Sequence, residues 1–157
     1  MRLFLISVLG FLGLAGAVQA CPDWRLDPSY GSYSLSIGQL RQGQSLSLQA
    51  GGNNYVWNCP NVNPQTDQGA GYFTSQPDAR VFVNNVEGNR LIIAVDSQCD
   101  AALLINTGTA TWYYDDDDRG NLDPQIILTR PRSGQIYIWV GTYDGQVCNA
   151  TLRLQAS

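Results

Sequence analysis

The stretch "QIYIWVGTY", residues 135–143, places aliphatic and aromatic side chains in strict alternation. Successive side chains of an extended strand point to opposite faces, so one face is aliphatic and the other aromatic. The aliphatic face carries Ile136, Ile138 and Val140, and the aromatic face carries Tyr137 and Trp139. This period of two predicts a β-strand and argues against a helix.

The same period dominates the rest of the chain. β-rich runs divided by turns rich in Gly, Asn and Pro lie at residues 33–37, 45–49, 79–83, 90–96, 101–106, 109–115, 124–129 and 150–155. We read residues 38–44 as a turn, and residues 51–72 as a structured polar loop with a short strand near residues 55–57. The pattern predicts an all-β fold, an antiparallel β-sandwich or jelly-roll-like domain of eight or nine strands over residues 21–157.

Aromatic residues gather on two of these strands. Trp112 and Tyr114 lie on one, and Tyr137 and Trp139 on the other. Such a face is either a second wall of the core or a binding platform that stacks on sugars or grips a peptide. Strand aromatics usually pack, which favours the core wall, and the four residues are our candidate binding residues.

The start of the chain has the layout of a secretory signal peptide. An Arg precedes an apolar run from Leu3 to about Ala17, and small residues follow before Cys21. We therefore expect residues 1–20 to be removed and the protein to be secreted or periplasmic. The sequence "VQAC" (18–21) also resembles a bacterial lipobox, which leaves a lipid anchor at Cys21 as a lesser alternative.

The four cysteines form an even set, as expected for two disulfides in an oxidising compartment. Three pairings are possible, and the spacing suggests Cys21–Cys59 with Cys99–Cys148. Lipidation of Cys21 would leave one of the other three unpaired. A zinc site is a poor alternative, because the cysteines are not closely spaced and the chain has no His.

The composition restricts the chemistry. All nine basic residues are Arg, and the chain has neither His nor Lys. This excludes catalytic triads with His, Schiff bases and pyridoxal chemistry, so acid–base work would fall to carboxylates or Tyr. Without residues 1–20, eight Arg face thirteen acids, a net charge of −5, which disfavours nucleic acid and favours cationic partners such as calcium.

Four consecutive aspartates follow the aromatic run in "TWYYDDDDRGNLDP" (111–124). Calcium loops of the D-x-D-x-D-G type place carboxylates at alternating positions before a Gly. Arg119 stands where a third ligand would lie, which weakens the match. The segment predicts either a calcium site or a solvated turn between two strands. The candidate calcium ligands are Asp115, Asp116, Asp117, Asp118 and Asp123. Catalysis by paired carboxylates, with Asp96, Asp100 or Asp144 as a second acid, is a weaker alternative.

Residues 77–155 resemble the bacterial pre-peptidase C-terminal (PPC) domain. The matching elements are Asp100 with the apolar run 103–105, then Trp112, the aspartate turn and the Gly-x-Tyr-x-x-x-Val strand at residues 134–140. The chain also resembles small secreted proteobacterial proteins with an "IWVGTY" strand. The resemblance implies an accessory β-sandwich, often attached to secreted peptidases, sometimes stabilised by calcium and sometimes engaged in substrate binding.

Together these features predict an exported, disulfide-stabilised module without catalytic activity, which binds a protein, peptide or carbohydrate or serves a structural role. Two alternatives stay open. One is a carboxylate-dependent hydrolase of glycosidase type, and the other is an accessory factor that acts with a secreted peptidase.

Overall fold

The computed structural model describes residues 20–117 and 122–157. Residues 1–19, which carry the predicted signal peptide, lie outside the described residues. The elements in chain order are β1 (Ser32–Ser36), α1 (Ile37–Arg41), β2 (Gln44–Ala50), β3 (Asn54–Tyr55), a 3-10 turn (Val56–Asn58), β4 (Tyr72–Phe73), β5 (Ala79–Asn84), β6 (Leu91–Ser97), β7 (Ala101–Thr107), β8 (Trp112–Asp115), β9 (Gln125–Leu128), β10 (Gly134–Thr142) and β11 (Cys148–Ala156).

The strands form two packed sheets. In the first sheet, β10 pairs with β5 on one side and β7 on the other; β1 continues beyond β5 and β8 beyond β7. The short strands β4 and β3 extend this sheet from the end of β10. The second sheet has the order β2–β11–β6–β9. All pairs except β1–β5 are antiparallel, so the predicted all-β sandwich is confirmed.

The aliphatic face of β10 packs into the core between the sheets. Ile136, Ile138 and Val140 are at most 3 % exposed, and they meet aliphatic side chains from β6 and β11. Burial of each such side chain stabilises the fold by about 2 kcal/mol, so this layer is the main source of stability.

A second core covers the aromatic face of the same sheet. Its members are Val56, Phe73, Ala102, Leu104, Trp112, Tyr114 and Trp139. The segment between β2 and β5 crosses over these residues, and it approaches so closely that a Cβ on Gly69 would lie 1.8 Å from the Tyr114 ring. The Tyr114 hydroxyl donates to the backbone oxygen of Ala70, which fixes the crossing segment on the sheet.

The fold differs from the sequence prediction in two places. Residues 37–41, which were predicted as the end of the strand at 33–37 and the turn after it, form helix α1, because Ser36 and Gln39 make a capping box at its N-terminus. There are eleven strands among the described residues, compared with the eight or nine predicted, and two of them, β3 and β4, are only two residues long. Runs that short carry no detectable alternation.

Disulfides join Cys21 to Cys59 and Cys99 to Cys148, with Cα atoms 5.5 and 6.1 Å apart. This is the pairing that the cysteine spacing suggested. The first disulfide ties the segment before β1 to the cover of the second core, and the second ties the β6–β7 turn to β11.

Candidate functional site

The structure buries three of the four candidate binding residues. Trp139, Tyr114 and Trp112 are 0 %, 1 % and 7 % exposed, and the rings of Trp112 and Trp139 lie 5.3 Å apart inside the second core. These residues form a core wall and not an accessible platform. Only Tyr137, at the margin of this core, stays partly exposed.

The acidic segment is divided between structural and exposed positions. Asp115 is buried and its Oδ2 accepts from the backbone N–H of Gln125 at 2.6 Å. Asp123 is also buried, and its Oδ1 accepts from the backbone N–H and the hydroxyl of Ser97. These two carboxylates hold the segment against β6 and β9. Asp116 is half-buried and Asp117 is exposed, whereas Asp118 lies outside the described residues.

Carboxylates near this segment repel one another. The pKa of Asp100 is raised, first by burial and then by the charges of Asp117, Asp116 and Asp144. The pKa of Asp116 is raised in the same way, by burial and then by Asp117.

In the part of the chain that the structure describes, no three acidic or cysteine side chains are arranged to hold a metal ion. Calcium takes six to eight oxygen ligands, which include backbone carbonyls and water as well as carboxylates. The calcium site stays a prediction.

A cleft of about 930 Å³ opens at another place, between the β7–β8 turn and the β9–β10 loop. Its walls combine aromatic, aliphatic and threonine side chains with two arginines. The residues that the argument uses are Trp24, Tyr113, Ile127, Arg130, Arg132 and Tyr137. No Asp or Glu among the described residues lines it.

Trp24 and Tyr137 pack together at one wall of the cleft, and a guanidinium from outside the cleft lies over the ring of Tyr137. The ring centroids of Trp24 and Tyr137 lie 5.7 Å apart, and the guanidinium of Arg80 lies 5.5 Å from the centroid of Tyr137. Trp24 is 41 % exposed, so it presents a large apolar surface to solvent. Such rigid, partly exposed aromatics are common anchors at binding surfaces.

The β9–β10 loop that carries Arg130 and Arg132 is fixed by hydrogen bonds to a carboxylate outside the loop. The carboxylate of Glu87 accepts from the backbone N–H of Ser133 at 2.8 Å and from its hydroxyl at 3.1 Å. These hydrogen bonds lower the pKa of Glu87, the backbone N–H of Ser133 most of all. The carboxylate is therefore occupied with the loop backbone, and the loop presents its arginines from a defined position.

The β7–β8 turn on the other side is held just as firmly. The backbone N–H of Ala110 donates to Thr107 O at 2.8 Å, and the hydroxyls of Thr107, Thr109 and Thr111 form a chain with separations of 3.0 and 3.1 Å. Ala110 has a φ of 56°, a left-handed conformation that costs free energy for a residue with a Cβ. The cleft thus lies between two ordered loops.

Of the candidate residues named from the sequence, Tyr137 alone lines this cleft, and the cleft itself was not predicted. Residues 130–134, "RPRSG", read only as a turn between strands, and Trp24 stands outside every predicted strand. The available signal for the cleft was the pair of arginines on either side of a proline, since the chain has few basic residues. The pattern does not show that these positions and Trp24 meet, because they are brought together by tertiary structure.

The fold and the cleft define a disulfide-bonded β-sandwich with a candidate binding cleft at one end. No family model matches the chain, and no curated protein matches it. Solved structures do match. One is PliG of Aeromonas hydrophila, a periplasmic lysozyme inhibitor of g-type lysozyme, with 12 % identity and a TM-score of 0.44 over 84 % of this chain and 100 % of that chain.

The pre-peptidase C-terminal domain of a Bacillus anthracis collagenase matches with 9 % identity and a TM-score of 0.45, over 84 % of this chain and 100 % of that chain. PliG of Salmonella Typhimurium matches with 11 % identity and a TM-score of 0.42, over 80 % and 97 %. A PPC domain, which the sequence resembles, is thus among the structures that match, and the similarity is weak. At these identities it extends to the fold alone.

Proposed function

We propose that the protein is an exported, non-catalytic binding module that holds its partner in the cleft between the β7–β8 turn and the β9–β10 loop. One observation carries the proposal. The cleft combines an exposed aromatic anchor, Trp24, with the guanidinium groups of Arg130 and Arg132, which make no hydrogen bond or ion pair with any described residue. Exposed aromatics and arginines dominate the energetics of protein interfaces.

The side chains around the cleft suit binding better than catalysis. A hydrolase of glycosidase type needs two carboxylates across its substrate, and no acid of the described residues lines this cleft. Elsewhere, Asp78, Asp115 and Asp123 accept hydrogen bonds from the backbone, and Asp96 pairs with Arg153. These acids serve the fold.

Two features support export. Disulfides form and persist in oxidising compartments, and all four cysteines of the chain are in disulfides. The sequence of residues 1–20 has the layout of a signal peptide. Among the described residues, the structure contains no helix of the length and apolar character that a membrane crossing requires.

Capture of the partner tests the proposal. Immobilised protein with residues 1–20 removed is mixed with the extracytoplasmic fraction of its source, and retained proteins are identified by mass spectrometry. We expect a partner that the native chain retains, and that Trp24→Ala loses by about tenfold or more, because a central aromatic anchor is worth at least 1–2 kcal/mol.

Trp57→Ala is the matched control. Trp57 is 64 % exposed on the 3-10 turn and does not line the cleft. Its loss removes the same ring from the surface and should leave the partner bound. Equal retention by the native chain and Trp24→Ala, or a loss confined to Trp57→Ala, would place the binding surface elsewhere.

A further inference from the structure

We propose that the occupant of the cleft is an extended, acidic segment of a partner protein, which adds to the free edge of β9 and places its carboxylates on Arg130 and Arg132. This inference rests on the proposed function, since it names the partner of the same cleft.

Charge is the first argument. The whole chain carries thirteen acids and nine basic residues, yet no described Asp or Glu lines the cleft, and two of its arginines do. Both side chains are exposed and neither is paired with a described residue. The nearest carboxylate contact of the loop, that of Glu87, is made with the backbone N–H and hydroxyl of Ser133, not with a guanidinium. The cleft is therefore a positively charged surface on a protein whose net charge is negative.

Arginine gives this charge a chemical preference. A guanidinium offers a planar fork of donors that matches the two oxygens of a carboxylate. Arg130 and Arg132 are two positions apart on one loop, on either side of the buried Pro131. A segment that carries several carboxylates can therefore place one on each guanidinium.

The backbone of β9 is the second argument, and it favours a polypeptide over other anions. Val95 donates to Pro124 O, so Pro124 faces β6, while the next N–H, that of Gln125, points away from β6 to Asp115. Antiparallel ladders alternate in this way. Ile127, two positions after Gln125, therefore directs its N–H and C=O outward as well.

Ile127 lies in the wall of the cleft and its side chain is 36 % exposed. The other sheet edge in this region is already covered, because the N–H of Gln65 donates to Trp112 O and Thr66 bonds to the backbone of Tyr114. The edge at Ile127 is thus open to a strand from a partner, in the manner of β-augmentation. Trp24 and Tyr137 on the opposite wall supply apolar contact for its side chains.

A labelled heptapeptide tests the inference. The probe is fluorescein-labelled Glu-Val-Glu-Val-Glu-Val-Glu, titrated with the protein lacking residues 1–20 and followed by fluorescence polarisation. We expect saturable binding that weakens about tenfold or more in the double variant Arg130→Gln/Arg132→Gln, since two charge-assisted contacts are lost. The variant Arg41→Gln/Arg153→Gln removes the same charge outside the cleft and should bind as the native chain does.

Two altered probes separate the components. A peptide with Gln in place of every Glu should bind about tenfold more weakly or not at all, as the loss of the carboxylates removes the pairing with arginine. A peptide N-methylated at every residue after the first, Glu and Val alike, keeps the charge and cannot donate to the edge of β9 through either of its own edges, so it should also bind weakly. Equal binding of the neutral peptide would overturn the acidic specificity, and equal binding of the N-methylated peptide would overturn the strand pairing.

The remaining outcomes are also decisive. No binding of the first peptide, or an equal loss in both double arginine variants, overturns the inference. If Trp24 still governs retention of the captured partner in that case, the proposed function stands and only the ligand class is wrong. If Trp24 has no effect on either ligand, the cleft itself is wrong.

Discussion

Replacement of Asp78 by Asn is expected to change the free energy of unfolding more favourably at pH 8 than at pH 4, by about 4 kcal/mol. Asp78 directly precedes β5 and is 3 % exposed. Burial raises the pKa of its carboxyl to about 7, and the hydrogen bond from Val140 N–H opposes this by lowering the pKa. That N–H lies 2.6 Å from Oδ2. An amide oxygen at the same place accepts the same bond without a charge to desolvate.

The direction follows from proton binding. Between the ordinary pKa of 3.8 and the folded value of about 7, the folded protein keeps a proton that the unfolded chain releases. Rising pH in this window therefore favours the unfolded chain, and the stability present below pH 3.8 is lost as the pH passes through 7. Above pH 7 the contribution of Asp78 to stability no longer changes with pH. The native chain should lose stability across the window, and Asp78→Asn should lose much less.

Urea denaturation at a series of pH values measures this difference. Asp27→Asn is the control, because the side chain of Asp27 is fully exposed and its replacement removes the same charge. It should follow the native pH dependence. The contrary result is an equal change in stability between pH 4 and pH 7 for the native chain and for Asp78→Asn. It would show that Asp78 is ionised in the fold at no cost.

Removal of the Cys21–Cys59 disulfide is expected to lower the free energy of unfolding by about 4 kcal/mol. The disulfide closes a loop over 38 positions, and its loss restores conformational entropy to the unfolded chain. The free energy of unfolding of a domain of this size is about 5–15 kcal/mol, so Cys21→Ser/Cys59→Ser should fold with a small margin of stability.

The second disulfide provides the comparison. Cys99–Cys148 spans 49 positions, and the entropy model gives a cost only about 0.2 kcal/mol larger for its removal. Equilibrium denaturation of the two double variants should therefore give nearly the same loss. A loss below about 1 kcal/mol for either variant would mean that the disulfide does not constrain the unfolded chain as this account requires.

The strands were predictable because one face of each is buried between the sheets. The run at 150–155 lies within β11 (Cys148–Ala156), and "QIYIWVGTY" became most of β10. Alternation follows directly from that burial, and a local pattern is enough to detect it. The all-β sandwich could be read from the sequence for this reason.

The role of the aromatic face was not decided by the sequence. Trp112, Tyr114 and Trp139 alternate in the same way whether solvent, a ligand or another part of the chain covers them. Here the cover is the segment between β2 and β5, which has no period of its own and is fixed by Cys59 and by close contacts such as that of Gly69. The choice between core wall and platform depends on contacts distant in the sequence.

The candidate site was hidden for a related reason. A surface cleft has no periodic signature, and its parts come from three places: the segment before β1, the β7–β8 turn and the β9–β10 loop. The four aspartates attracted attention because charge runs are visible locally. Two of the neighbouring carboxylates, Asp115 and Asp123, proved to be buried acceptors for the backbone.

Hydrogen exchange of the protein with and without its captured partner tests the central claim most directly. We predict that the partner slows amide exchange in the β7–β8 turn, in β9 from Ile127 onward and in the β9–β10 loop, and that the peptide containing Trp24 gains protection with them. Protection confined to the acidic segment at 115–117, or to the cover of the second core at 54–62, would contradict the assignment of the cleft as the binding surface.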